Sequence, residues 1–362
     1  MMTKEQYISD LAIPPGEYLQ EVIDDMGISQ LELSERMGRP AQKINEIIKG
    51  NKQIIPETAI QLEKVLNIPA QFWNNLEAEY RLILAKQKEE QEILNEVETV
   101  KLYPYAELVV QGLVKKTRKA TEKVKSLRKF FGVSSLSLVK DVHEFAPAFR
   151  QQENPKISGE ALSAWLHAGR ELAKKQNVSK YDAKQLRKTI PKLREMTFET
   201  EFEMLLPNLQ SKLSSCGIAL VILPHFKNTY VNGATFWHTK DKATIIMTLR
   251  GKKADIFWFS LFHEIAHILL HDKRTTFLES ENNSAFKKQE HEADNFSSNT
   301  LIPETKYREF ISRGDFSEQA IFNFSEVINI HAGIITGRLQ HDNYLTYREN
   351  YHKISYTFLN KK

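Results

Sequence analysis

A single cysteine in 362 residues leaves nothing for an intramolecular disulfide framework, and such scarcity fits a reducing cytoplasm. That residue, Cys216, stands in an apolar stretch before Gly217 and reads as core, not as a nucleophile. No run of 18 apolar residues occurs, so no membrane-spanning helix and no membrane partner are expected. The opening residues MMTKEQYISD lack the apolar centre of a secretory signal. A strong excess of one charge is missing as well, for the net charge is +4. The spread is uneven, because residues 101–194 hold 21 Lys and Arg against 8 Asp and Glu. A basic middle can attract phosphate backbones or acidic partners, or face its own acidic neighbours. Most of it is expected to be solvated helix face. The length suggests two or three domains with ample core.

Against these absences stands one dense stretch, Phe257–Leu270, FWFSLFHEIAHILL. Its apolar run reads as a buried helix, on which His263 and His267, four residues apart, share one face. Both imidazoles can reach one ion there, with Glu264 beside the open position. Zinc takes histidine nitrogen and carboxylate oxygen, and its catalytic sites keep one place for water. A glutamate in so apolar a run carries a heavy desolvation penalty unless a metal or another charge offsets it. A third ligand is sought in Lys287–Pro303, KKQEHEADNFSSNTLIP, which is helical by spacing. Glu290 and Asp294 lie one turn apart, so Glu290 can complete the site while Asp294 takes the N–H of a liganding histidine. Glu292 is the rival, but a two-residue offset puts it on a different face from Asp294. Glu290 is preferred.

HEIAH, followed by E-x-E-A-D-x-F and a Leu-Ile-Pro ending, resembles the ImmA/IrrE family of zinc metallopeptidases. Three further stretches fit the same family: Gly233-Ala234-Thr235-Phe236-Trp237; Leu249-Arg250-Gly251 leading through Asp255 into Phe257-Trp258-Phe259; and GIITGRLQ at Gly333–Gln340. The resemblance spans residues 200–345 in rough bounds and implies zinc (Zn2+) held by His263, His267 and Glu290, with Glu264 as general base. Asp294 is a departure, since the family often has Asn there. Around this helix Ile218–Leu223, Gly233–His238 and Ala243–Leu249 read as strands, so an α+β module of zincin-like fold is expected. His238 is expected at the surface and His271 one turn too far along to ligate, while His331 is left undecided.

Residues 14–80 break into short amphipathic helices. Pro14-Pro15-Gly16 starts the first, Ser29 caps a second running to Met37, and Gly38-Arg39-Pro40 turns into Ala41–Lys49. Pro56 and Pro69 open two more. Two short helices joined by a glycine turn and closed by others is helix-turn-helix spacing, with Leu33, Met37, Ile44 and Ile47 or Ile48 buried. In that geometry the second helix of the pair enters the major groove with its early residues toward base edges. Gln42, Lys43 and Asn45 are the candidates for base edges. Ser29, Gln30, Lys49 and Lys52 are the candidates for phosphates. PGEYL, SQLELSERMG, NEIIKG and QFWNNLEAEY are similar to the Xre-type domain of HigA-family antitoxins. That likeness implies a five-helix, lambda-repressor-like domain and a dimeric operator-binding repressor, often of its own toxin–antitoxin operon.

Tyr80–Val100 continues as a polar helix with a narrow apolar stripe, a spacer or a dimer seam. Residues 106–197 read as all-helical, with Ser179–Arg187 and Pro191–Met196 as separate pieces; WLHAGRELA resembles the helical linker of fused proteins of this type. His143 and His167 are expected to pack or lie at the surface. The expected architecture is multidomain and mainly α. It comprises a helix-turn-helix domain over residues 1–80, a basic helical connector over 81–198, an α+β metallopeptidase domain over 199–345 and a loose tail over 346–362. The expected function is a cytoplasmic, homodimeric regulator that binds double-stranded operator DNA and whose zinc endopeptidase cuts itself or a regulatory protein. The competing expectation is an antitoxin that neutralises a cognate toxin, with a zinc domain that senses or scaffolds and cuts little.

Overall fold

The computed structural model describes residues 11–142, 157–271, 277–278 and 287–357. The chain divides into two compact units, Met1–Glu96 and Val97–Lys362. His143 lies outside the described residues. Among the described residues no helix is long and apolar enough to cross a membrane.

The first unit is built of five helices: α1 (Pro15–Asp25), α2 (Gln30–Met37), α3 (Ala41–Ile48), α4 (Pro56–Leu66) and α5 (Ala70–Asn95). Their ends have local causes. Pro15 begins α1, where its missing N–H is no loss. The Ser29 hydroxyl accepts the Glu32 N–H at 3.1 Å to open α2, and Gly38 closes it at φ 62°. Leu19, Ile23, Leu33, Met37, Ile44, Ile47 and Trp73 meet in the core, and Ile48 is half-buried. The buried Glu77 carboxylate accepts the Ile54 N–H at 3.0 Å and pairs with Arg81 at 2.7 Å, tying the loop after α3 to α5.

At Gly16, α1 packs directly against the backbone at the end of α3. A Cβ there would stand 2.1 Å from the Ile47 carbonyl oxygen. Gly16→Ala therefore forces the two helices apart, and overpacking of this kind costs about 1–3 kcal/mol. Hydrogen exchange measured on the full chain is expected to accelerate in α1–α3 and to stay unchanged in the second unit; parental protection in α1–α3 would contradict the contact.

Sequence spacing placed a boundary after residue 80, but α5 runs unbroken to Asn95 with Trp73, Glu77 and Ile93 all buried. The boundary between units falls after Glu96 instead.

In the second unit, α6 (Tyr105–Val110), α7 (Ala120–Phe131), α8 (Gly159–Lys174), α9 (Ala183–Glu195) and α10 (Phe202–Ser215) lead to β1 (Ile218–Ile222), β2 (Gly233–Thr239) and β3 (Lys242–Met247). Then come α11 (Ala254–Leu270), the two-residue β4 (Phe277–Leu278), and α12 (Lys287–Leu301), α13 (Glu304–Ser312), α14 (Glu318–Ile328) and α15 (Ala332–His341). The sheet order is β1-β3-β2-β4, with β1 parallel to β3 and β2 antiparallel to both its neighbours. Ile218, Leu220, Ala243, Ile245 and Met247 face the core formed with α11. The other face is covered by α8: Gly169 packs so closely that a Cβ would meet Ile246 Cδ1 at 2.1 Å, and the Trp165 indole donates to the Pro224 carbonyl at 3.2 Å.

Two sequence-based expectations change here. Residues 97–198 are not a connector of their own. They belong to the second unit, because strands as apolar as β1 and β3 need cover on both faces. Ser179–Arg187 and Pro191–Met196 are not separate either; α9 continues through Pro191, held by the fully buried Leu186 and Leu193 two turns apart.

The expected loose tail is tied down near the end of its described part, although Thr346–Arg348 are exposed. Tyr356 is buried, accepts the Trp258 indole N–H at 3.0 Å and donates to the Glu199 carbonyl at 2.9 Å. Lys353 pairs with Asp255 at 2.7 Å beside it. Residues 358–362 of the expected tail lie outside the described residues.

Candidate metal centre

Because α11 is apolar nearly all round, it is buried nearly all round, and its polar side chains are forced to find partners. His263, Glu264 and His267 are all buried. The two histidine Nε2 atoms face each other at 3.0 Å, and Glu290 Oε2 on α12 lies 3.1 Å from His263 Nε2 and 3.8 Å from His267 Nε2. Among the described residues, His263, His267 and Glu290 form the one cluster of such side chains able to hold a metal ion, each offering one ligand atom within 4.8 Å of the others.

The outer hydrogen bonds fix which way the lone pairs point. Asp294 Oδ1 lies 2.9 Å from His263 Nδ1; a carboxylate accepts, so Nδ1 carries the proton and Nε2 the lone pair. On the other side His271 Nε2 lies 3.1 Å from Glu292 Oε2, and His271 Nδ1 lies 2.9 Å from His267 Nδ1. If His271 donates to Glu292, its Nδ1 accepts from His267, whose Nε2 lone pair then also faces Glu290. Glu292 thus anchors a relay and is not part of the cluster. Sequence reasoning set His271 aside as too far along the helix; its i+4 spacing from His267 was the available signal for this supporting position.

Protonation suits a cation. Burial pushes the Glu290 carboxyl upward, but when His263 and His267 are protonated at Nε2 as well, their hydrogen bonds and charge outweigh it and hold it at about 2, so positive charge at this spot keeps Glu290 ionised. Burial lowers His267, helped by the neighbouring His263 and His271 and opposed by Glu290. Two nitrogen lone pairs and an ionised carboxylate this close repel one another unless a proton or a metal stands between them, so the donor set fits a divalent ion.

Glu264 points from the same helix toward β2, where it accepts the Thr235 hydroxyl. Gly233, two residues earlier on the same face of the strand, makes room for it: a Cβ there would stand 2.6 Å from Glu264 Oε1. Both positions in the GATFW stretch are thereby explained by one carboxylate.

The remaining histidines are placed as follows. His331 caps α15, its Nδ1 accepting the Gly333 N–H at 3.1 Å, and packs on Phe198. His167 packs against Phe130 and Phe131. His238 is half-buried rather than at the surface, and its Nε2 is buried without a hydrogen bond. Burial, then the charges of Arg170 and Lys174, pull it down to about 4. The unfolded chain binds this proton near 6.5, so stability contributed by neutral His238 is lost as pH falls from there toward 4. After allowance for solvent screening the loss is about 1–2 kcal/mol. His238→Gln is expected to melt with a shallower dependence between pH 7 and pH 4 than the parent; parallel curves would rule this out.

In the first unit, Gln42 and Lys43 are exposed in the first turn of α3, and Asn45 is half-buried. Ser29 caps α2, Gln30 donates to Gln20 at 2.6 Å, and Lys49 and Lys52 are exposed past the end of α3. Glu46, which sequence reasoning passed over, accepts from Gln42 at 3.2 Å and lies 3.8 Å from Lys52. It holds two of the candidate contact side chains in place.

The profile of the IrrE N-terminal-like domain family, peptidase family M78, matches residues 216–334, the stretch that contains the whole His-His-Glu cluster. Virulence-associated protein I of Dichelobacter nodosus is 35% identical over 77 residues, 21% of this chain and 71% of that protein. The HTH-type transcriptional regulator YddM of Escherichia coli K12 is 29% identical over 72 residues, 20% of this chain and 77% of that protein. Among solved structures, Pseudomonas aeruginosa antitoxin HigA with the higBA promoter is 32% identical, covering 24% of this chain and 95% of that one at a TM-score of 0.23. Through its N-terminal part the chain belongs to the HigA-like helix-turn-helix regulators, and its C-terminal unit carries an IrrE-like M78 domain.

Proposed function

We propose that this protein is a DNA-binding regulator whose second unit is a zinc-dependent endopeptidase, cutting itself or another regulatory protein. The observation that carries the reading is the convergence of His263, His267 and Glu290 beside the buried Glu264. His263 Nε2, His267 Nε2 and Glu290 Oε2 would hold the ion, with Asp294 and the His271–Glu292 pair orienting the two rings. Zinc bound there supplies Lewis acidity toward a peptide carbonyl and toward water. Glu264 takes the proton of the attacking water and returns it to the departing amine. Thr235 keeps one of its carboxylate oxygens fixed while Gly233 leaves room for the carboxylate.

Operator binding is placed on the first unit, acting in a homodimer. Exposed Gln42 and Lys43 at the start of α3 read base edges, with Asn45 behind them. Lys49, Lys52, Ser29 and Gln30 set the register on phosphates. The likeness to antitoxins favours a second reading, in which the protein neutralises a cognate toxin and the metal domain acts as a sensor.

Both halves are tested on the full chain. A DNA fragment from upstream of its own gene is expected to shift in a gel. Lys43→Glu is expected to weaken that shift by about fivefold to a hundredfold, since one major-groove contact carries about 1–3 kcal/mol. The zinc-loaded chain is expected to release defined fragments of itself or of a co-encoded regulator. A shift without cleavage of either would favour the sensor, and the absence of any shift would remove the regulator reading.

A further inference from the structure

A cavity of about 510 Å³ opens between α11, α12 and α15, on the His263 side of the cluster. Its walls include Ile256, Phe259, Ile302 and Ile334, and it is lined by two acids, Asp255 and Asp294. It borders the centre through the outer neighbours of His263 and Glu264. Phe259 lies 6.4 Å from the His263 ring, Asp294 hydrogen-bonds that ring, and the lining residue Asn232 precedes Gly233, which abuts Glu264. A peptide whose carbonyl lies at the cluster has its neighbouring residue one Cα–Cα step away, about 3.8 Å, and a long side chain on that residue has the reach to extend to this cavity.

The charges in it are unevenly committed. Arg338 also lines the cavity, but its guanidinium is held by Asp342 at 2.7 Å and Ser298 at 2.6 Å. His291 and His341 stand at exposed positions. Asp255 Oδ2 is paired with Lys353, whereas Asp255 Oδ1 is buried and accepts no hydrogen bond. Asp294 spends Oδ1 on His263, and its side chain is 53% exposed. The position of Asp255 is built into the fold, because Gly337 has no Cβ; one there would meet Asp255 Oδ2 at 2.2 Å. This accounts for the glycine in the GIITGRLQ stretch that the chemistry at Glu264 does not use. With Lys353 as its one hydrogen-bonding partner, the Asp255 carboxylate still attracts a cation placed in the cavity beside it.

We propose that this cavity seats a side chain with an apolar stem and a cationic end, an arginine or lysine next to the bond that is cut. The methylenes lie along Phe259 and Ile302, and the guanidinium or ammonium group donates to Asp294, with the Asp255 carboxylate adding its charge. A leucine would fill the walls but bring no cation to the two acids, and a glutamate would face two carboxylates. The proposal rests on the peptidase reading for the identity of its ligand.

The test has two arms. With zinc-loaded full chain and a library of quenched fluorescent peptides, Arg and Lys at one position flanking the cut are expected to exceed Leu and Glu at least tenfold in kcat/KM. Asp255→Asn and the exposed lining substitution Asn295→Lys, which is free of folding cost to the core, are each expected to lower that Arg-to-Leu ratio several-fold. Cleavage without a basic preference, or a ratio unmoved by both variants, overturns the proposal. In the second arm, the metal-free chain is titrated with acetyl-argininamide and acetyl-norleucinamide and followed by NMR. Binding of the argininamide alone, lost in Asp255→Asn, upholds the cavity even where no peptide is cut, and then only the peptidase reading falls. Equal binding of both amides overturns the cavity assignment itself.

Discussion

Glu264→Gln is expected to leave zinc content, fold and DNA binding unchanged and to lower peptide cleavage by about a hundredfold to ten-thousandfold, the range general acid–base catalysis supplies. The replacement keeps the shape of a side chain with no exposed surface and keeps an oxygen for the Thr235 hydroxyl. The three clustered ligand atoms come from His263, His267 and Glu290, so the metal is retained. What is lost is the ability to take a proton. Zinc per chain by mass spectrometry and fragment release on gels give the two readouts. Cleavage at the parental rate with zinc bound would remove Glu264 from the chemistry. Simultaneous loss of zinc would instead make it a ligand.

The second large effect separates two carboxylates that lie two residues apart. Glu290→Gln is expected to turn stoichiometric zinc binding into weak, substoichiometric binding, because two imidazoles alone make an incomplete site. Glu292→Gln is expected to weaken binding by no more than about 10- to 100-fold, the usual cost of losing an orienting partner. The contrast follows from geometry: Glu290 Oε2 is 3.1 Å from His263 Nε2, while Glu292 Oε2 meets only the outer nitrogen of His271. Competition with a chelator of known affinity measures both. Equal losses in the two variants would mean that direct ligation does not distinguish these acids.

Both results bear on a layout that joins two unlike modules. Gly233 on β2 and Gly337 on α15 each give up a side chain so that an acid on α11 can occupy the space, Glu264 in one case and Asp255 in the other. One of these acids is assigned to proton transfer and the other to recognition. Neither position tolerates a methyl group without displacing a carboxylate, so Gly233→Ala acts on the chemistry through packing.

The sequence by itself determined whatever depends on neighbours within a few turns. His263 and His267 share a face because an α-helix repeats every 3.6 residues. Ser29 and Gly38 bound α2 through hydrogen bonding and backbone freedom that are local properties. The apolar runs at 218–222 and 243–247 announced buried strands, though not what buries them. Tertiary structure alone decided the rest. It chose α8 as the second cover of the sheet, set the distance of Glu290, already preferred from its spacing, to the histidines, and gave His271 its relay. It also fastened Tyr356 to Trp258, 98 residues away, where composition had suggested a free tail. Such contacts have no periodic signature, because they are fixed by the close packing of whole elements and not by the hydrogen-bond repeat of any one of them.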